Sequence, residues 1–231
     1  MKHDRASDTA PPGGTPALPR ETNLYLMFGV TLMVVMGVAS ISPAFPTVMR
    51  ELGISERRVG LLISFFTVPG VLFAPVVGIL ADRIGRKKIL VPALFLFGLA
   101  GGACAIATSF RMMLFLRFLQ GIGATSMGTL NVTIIGDLYT GKIRTKVLGY
   151  NISVLNVGTA LYPAIGGALT MLGWRYPFML ALVALPLGVL VIFFLKNPEP
   201  SNDLSFGTYL SRVLSSIKRK QAIGLFIISV V

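Results

Sequence analysis

The chain has 231 residues and a formal net charge of +12, yet only 13% of its residues are charged and 54% are hydrophobic, giving a mean hydropathy of +0.77. A soluble domain carries about a quarter charged residues, so the composition excludes an ordinary soluble enzyme or binding module. The basic excess would suit nucleic acid if it formed one patch, but it is split into short clusters between long apolar runs.

Residues 1–23, with APPGGTPALP in their middle, read as a flexible tail. The apolar run at 24–45 is too long for a cleaved signal peptide and is taken as a retained first helix. Five more runs follow at 59–81, 89–108, 112–136, 147–172 and 176–195. A helix needs roughly 20 apolar residues to cross the hydrocarbon core. Open strands would leave backbone groups unsatisfied in lipid, and a barrel would show short alternating segments rather than continuous runs. The expected fold is all-α: a polytopic membrane protein with six complete transmembrane helices as the bundle 24–195. Residues 196–220 are expected to be a cytoplasmic linker. In it Phe206, Tyr209, Leu210, Val213, Leu214 and Ile217 recur at helical spacing among basic residues, as in a helix lying on a membrane surface. QAIGLFIISVV, residues 221–231, begins a seventh helix but covers about 16 Å at 1.5 Å per residue, half a bilayer. Truncation is the simplest expectation.

The charges orient the helices. Alternate loops collect Lys2, Arg5 and Arg20; Arg83, Arg86, Lys87 and Lys88; Lys142, Arg144 and Lys146; and Lys196, Arg212, Lys218, Arg219 and Lys220. The opposite loops hold only Arg50, Arg57, Arg58, Arg111 and Arg175. Basic loops stay inside, so the N-terminus is expected in the cytoplasm and the protein in the plasma (inner) membrane. Anionic lipid is then the expected partner of the basic clusters, and nucleic acid is not one.

Polarity sorts the spans. The third and sixth carry no hydroxyl, amide or ionisable carboxyl or amine in their apolar cores, whereas the fourth holds Arg117, Gln120, Thr125, Ser126, Thr129, Asn131 and Thr133. Polar, polar, apolar, repeated twice, suggests two three-helix triplets whose third members face lipid all round. At 100° per residue Arg117, Gly121, Ala124, Gly128 and Asn131 share one face of the fourth span, and Asn151, Gly158 and Tyr162 share one face of the fifth. Met33, Met36, Ser40, Asn131, Asn151 and Tyr162 are candidate cavity-lining residues. For any single Ser or Thr the plainer alternative is a bond to its own helix backbone or to a neighbouring helix, and for Met it is packing. The single cysteine, Cys104, excludes an internal disulfide. No nucleophile–base pair or metal-ligand cluster stands out, so neither an enzyme, a cofactor nor a metal is expected.

Three ordered motifs carry a family resemblance. GILADRIGRKKIL places Gly78, Leu80, Ala81, Asp82, Arg83, Gly85, Arg86 and Lys87 between spans two and three. LRFLQGIGA supplies Arg117, Gln120, Gly121 and Gly123, and GTALYPAIGG supplies Gly158, Pro163, Gly166 and Gly167, with Tyr162 where glycine is usual. GWRYPF opens span six. The chain resembles the N-terminal half of a major facilitator superfamily transporter of the drug–proton antiporter branch. The resemblance implies a conformational latch at Gly78, Asp82, Arg83, Gly85, Arg86 and Lys87, which would hold this half to the other on the cytoplasmic side. It also implies a part for Arg117 in proton coupling, against the plainer reading of snorkelling to head groups. It makes Gly158, Pro163, Gly166 and Gly167 a hinge or packing element in the fifth helix. No Asp or Glu lies inside a span; the coupling carboxylate is therefore expected in a missing C-terminal half or a second copy, unless coupling takes another form. The implied function is proton-coupled efflux of a small amphipathic substrate by alternating access. The alternative is a non-transporting truncated membrane module that binds a partner or lipid, or is inactive.

Overall fold

The structure, a computed structural model, describes residues 17–195, and these contain helices and turns with no strand. Residues 1–16, the linker expected at 196–220 and the seventh-helix start at 221–231 lie outside the described residues.

Among the described residues nine α-helices follow one another: α1 (Ala17–Ala39), α2 (Phe45–Leu52), α3 (Glu56–Val59), α4 (Leu61–Ile84), α5 (Arg86–Ala103), α6 (Phe110–Leu138), α7 (Gly141–Leu172), α8 (Tyr176–Met179) and α9 (Ala184–Phe194). The first helix starts at Ala17, inside the stretch expected to be tail. Pro19 falls in its first turn, where the missing N–H has no intrahelical partner to lose. Breaks between helices follow local chemistry. Gly85, at φ 105, turns α4 into α5 in a conformation that side chains rarely adopt. Ser109 caps α6 by accepting a hydrogen bond from the Met112 N–H at 3.3 Å.

Among the described residues, five helical stretches are long and apolar enough to cross a membrane: Thr22–Leu52, Glu56–Ile84, Arg86–Ile106, Gly141–Leu172 and Tyr176–Phe194. The 29-residue α6 is not among them, because Arg117, Gln120, Asn131 and their polar neighbours dilute its apolar run. It is nevertheless the central helix. It packs on α1, α4 and α5, while α7 lies along α1 and α9 along α5.

The expectation that the third and sixth spans face lipid all round is corrected. Half of the apolar window of the third span is buried, against 22% and 11% for the spans built on α4 and α7. In lipid, helices associate through close packing rather than by escaping water, so small residues decide which helices touch. Gly123 of α6 lies against the backbone of α5; a Cβ there would stand 2.7 Å from the Ala93 carbonyl oxygen. Gly98 of α5 likewise admits Leu185, whose Cδ2 would be 2.8 Å from an added Cβ. The outer faces of α4 and α7 expose Val71, Leu72 and Val76 on one and Ile152, Val157 and Leu161 on the other.

Two apolar clusters fill the bundle. The larger runs between α1, α4, α5, α6 and α9 and includes Met27, Val30, Leu94, Phe97, Met127 and Ile134. The smaller closes the end where α1, α5 and α7 finish, with Ile41, Val48, Leu62, Met113, Trp174 and Phe178. Trp174 and Phe178 meet edge to face there, centroids 6.1 Å apart.

Gly123→Val should cost about 1–3 kcal/mol of stability by overpacking the α5–α6 contact. Gly149→Ala, where nothing lies within 4 Å of an added Cβ, should leave stability unchanged or slightly raised. Thermal unfolding of the purified protein in detergent checks both.

Candidate functional site

The charged loop at Gly85 is built around Arg86. Its Nη1 forms an ion pair with Asp137 near the end of α6 and donates to the Thr133 carbonyl at 3.1 Å. Asp82, one turn before it, is 3.5 Å from Nη2, a long contact for a charge-assisted bond. Asp137 is therefore the main carboxylate partner of Arg86. Lys87 reaches α9 instead, and its Nζ donates to the carbonyls of Ile192 at 2.7 Å and Leu195 at 2.8 Å. A cation on those otherwise unpaired carbonyls is a favourable helix C-terminus. One loop thus ties the ends of α4, α6 and α9. Arg83 is exposed. Gly78 has nothing within 4 Å of an added Cβ, so among the described residues it is not a close-approach point. Asp137 was legible only as an acid near a helix C-terminus, where the dipole disfavours it unless a cation is close.

Arg117 sits deep in the bundle at 1% exposure. Nη1 donates at 2.8 Å both to the Gly37 carbonyl of α1 and to Gln120 Oε1. The guanidinium carbon lies 4.9 Å from the Phe178 ring centroid and 5.7 Å from that of Phe66. Nε and Nη2 are buried without a hydrogen-bond partner. Its head points inward, so snorkelling to head groups does not describe it.

In α7 the glycines differ. A Cβ on Gly166 would collide with the Ser40 carbonyl, which makes this the point where α7 meets the end of α1. Gly158 faces Leu32 at 3.0 Å, while Gly167 has only ordinary contact with Pro43 at 3.9 Å. Pro163 is exposed, and the helix continues through it.

Asn131, Thr31 and Asn151 come together from α6, α1 and α7. Asn131 Nδ2 donates to Thr31 Oγ1 at 2.7 Å and to the Met27 carbonyl at 2.8 Å, and Thr31 Oγ1 donates to Asn151 Oδ1 at 2.6 Å. They line a recess of about 100 Å³ with Val34, Gly128, Val132 and Leu155. Met36 and Ser40 line a second cavity of about 10 Å³ beside Arg117 and Gln120, room for about one water. Met33 is buried in the larger apolar cluster and Tyr162 packs against it, and neither lines these two cavities. Thr31 was the residue missed as a site member. It was visible as a polar residue in the first span, but its partners are a hundred residues away in sequence.

A helical bundle with membrane-length apolar helices, a buried polar seam and a charged loop at one end is the architecture of a multi-pass membrane protein. The Major Facilitator Superfamily profile matches residues 27–231, and the chain belongs to that family of membrane transporters. It is 32% identical over 185 residues to Multidrug resistance protein 1 of Bacillus subtilis (strain 168), covering 79% of this chain and 46% of that protein. It is also 32% identical to the Bacillibactin exporter of the same strain over 163 residues, covering 68% and 40%. Quinolone resistance protein NorA of Staphylococcus aureus is 24% identical over 209 residues, covering 90% and 54%. The chain spans about half the length of the curated relatives it matches. A bacterial homologue of the human lysosomal transporter Spinster, solved inward-facing and unoccupied, shares the fold at a TM-score of 0.73 and 20% identity, over 91% of this chain and 50% of that one. The human organic anion transporter MFSD10 does so at 0.67 and 21%, over 82% and 52%.

Asp137→Asn should cost about 1–2 kcal/mol by leaving Arg86 without its main counter-charge. The neighbouring exposed change Lys88→Gln should cost nothing measurable. Equal thermal unfolding of the two variants in detergent would refute this division of roles.

Proposed function

We propose that the chain is the N-terminal half of an exporter that moves a small amphipathic molecule out of the cell by alternating access, in exchange for protons. In this reading α6 is the fourth of six spans. The six form two triplets within residues 24–195, the N-terminus and the linker at 196–220 are cytoplasmic, and the basic loops meet anionic lipid of the plasma membrane. A C-terminal half or a second copy covers the exposed faces of α4 and α7 and supplies the titrating carboxylate that these spans lack.

The observation that carries the reading is the Arg86–Asp137 ion pair. It makes the α4–α5 loop a charged cross-link between helix ends, the kind of contact that can hold one conformation and release in another. Asp82, Arg83 and Lys87 belong to the same latch, with Gly85 giving the turn. Gly78 would matter only against the other half. Efflux rather than uptake is supported by the names of the relatives, a multidrug resistance protein and a bacillibactin exporter among them. Arg117, charged and buried beside Gly37 and Gln120, is the coupling residue of this half. Gly166 seals α7 against α1, with Gly158, Pro163 and Gly167 as its neighbours in that packing element.

The test is ethidium efflux from cells lacking their own exporters and expressing the natural gene product. Asp82→Asn should reduce efflux at least tenfold at unchanged membrane abundance, and Arg117→Lys should uncouple it from the proton gradient. Full coupled efflux in Arg117→Lys would remove the special role of the guanidinium. No efflux by the parent protein would favour the non-transporting module.

A further inference from the structure

We infer that Thr31, Asn131 and Asn151 form a charge-free subsite for a hydroxyl or carboxamide group of the exported molecule. The inference rests on the efflux reading and adds the chemistry of one part of the substrate.

The three side chains make a directional chain. Asn131 Nδ2 donates to Thr31 Oγ1; the single Thr31 hydroxyl proton has two acceptors in reach, Asn151 Oδ1 at 2.6 Å and the Met27 carbonyl at 3.2 Å, and the shorter contact takes it. The Asn131 amide cannot be turned over without loss, because its Nδ2 also faces the Met27 carbonyl at 2.8 Å, which can only accept. The orientation leaves Asn131 Oδ1 buried with no hydrogen-bond partner. Asn131 is 2% exposed, and a bare acceptor at such a place is costly. At the other end Asn151 uses its oxygen on Thr31, which leaves its NH2 to donate. The chain therefore ends in an acceptor on one side and a donor on the other.

The adjoining recess has the size and character of a group-binding pocket. Its volume of about 100 Å³ is several times what a single water needs, enough for a polar group and the carbons that bear it. Val34, Val132 and Leu155 make the rest of the wall apolar, and no ionisable side chain lines it. A carboxylate or ammonium would be buried there without a counter-charge. A methyl group would leave the Asn131 acceptor bare. A hydroxyl or a carboxamide, which both donates and accepts, matches the two ends in chemistry. Gly128 keeps the space open, since nothing lies within 4 Å of an added Cβ at that position.

The test uses two fluorescent amphiphiles that differ at one group, N-(2-hydroxyethyl)dansylamide and N-propyldansylamide, titrated onto the purified full chain in lipid nanodiscs. The hydroxyl compound should bind about tenfold more tightly, as expected where the analogue leaves a buried polar group unpaired. Asn131→Leu and Thr31→Val should abolish that ratio while retaining the propyl compound. Gly128→Val, which grows a side chain into the recess without a clash in the fold, should weaken both and guards against misfolding of the polar variants. Equal affinities, failure of either compound to bind, or a ratio that survives in all three variants overturns the subsite. Ethidium efflux is read separately, so loss of the subsite and loss of the efflux reading are distinct results.

Discussion

Two side chains of α6 donate to backbone carbonyls of α1: Arg117 to Gly37 and Asn131 to Met27. Fourteen positions apart on α6, they hold the two helices together at two levels, roughly 21 Å from each other at 1.5 Å per residue. In an apolar interior neither donor has water to fall back on, so each must find an acceptor in the protein. Serine and threonine mostly return to their own helix here, as Ser126 does to Ile122 and Thr133 to Thr129. Arginine and asparagine reach across, and that reach sets the register of α6 on α1. The remaining helices settle around this pair: α4 and α5 through the glycines of α6, α7 through the contact of Gly166 with the Ser40 backbone.

The helical character of the chain was legible because apolar runs of membrane length have few other solutions. The shared inward face of Arg117, Gly121, Ala124 and Asn131 followed from helical phase, and all four are buried. Polarity was a poorer guide to which helices lie inside. The α5 helix, free of hydroxyls and amides in its apolar core, is among the most buried because Gly98, Gly101 and Ala93 let neighbours approach, whereas the hydroxyls of α7 mostly bond within their own helix. Sequence position also hid the polar triad, for Thr31 lies 100 residues from Asn131 and 120 from Asn151. Met33 and Tyr162 show the converse case, side chains of suitable chemistry that the fold uses for packing.

The two ends of the bundle are chemically unlike. One is closed by an apolar plug around Trp174 and Phe178, the other by Arg86, Asp137 and Lys87. An apolar plug is hard to open by small rearrangements, whereas an ion pair with a partly exposed carboxylate exchanges readily with solvent or another partner. The polar recess lies in the span between them. A bundle of this kind is suited to move as one body, with change concentrated at the charged end and at the exposed faces of α4 and α7.

The central claim is that the recess beside Asn131 opens to one side of the membrane at a time. The only native cysteine, Cys104, is fully buried, which gives a quiet background for Val132→Cys at the rim of the recess. The decisive measurement is the reaction of that cysteine with a membrane-impermeant maleimide applied to one face or the other of sealed vesicles, with and without a proton gradient. Alternating access predicts labelling from one face only, switching face when the gradient is imposed. Labelling that is the same from both faces, or unaffected by the gradient, would contradict it.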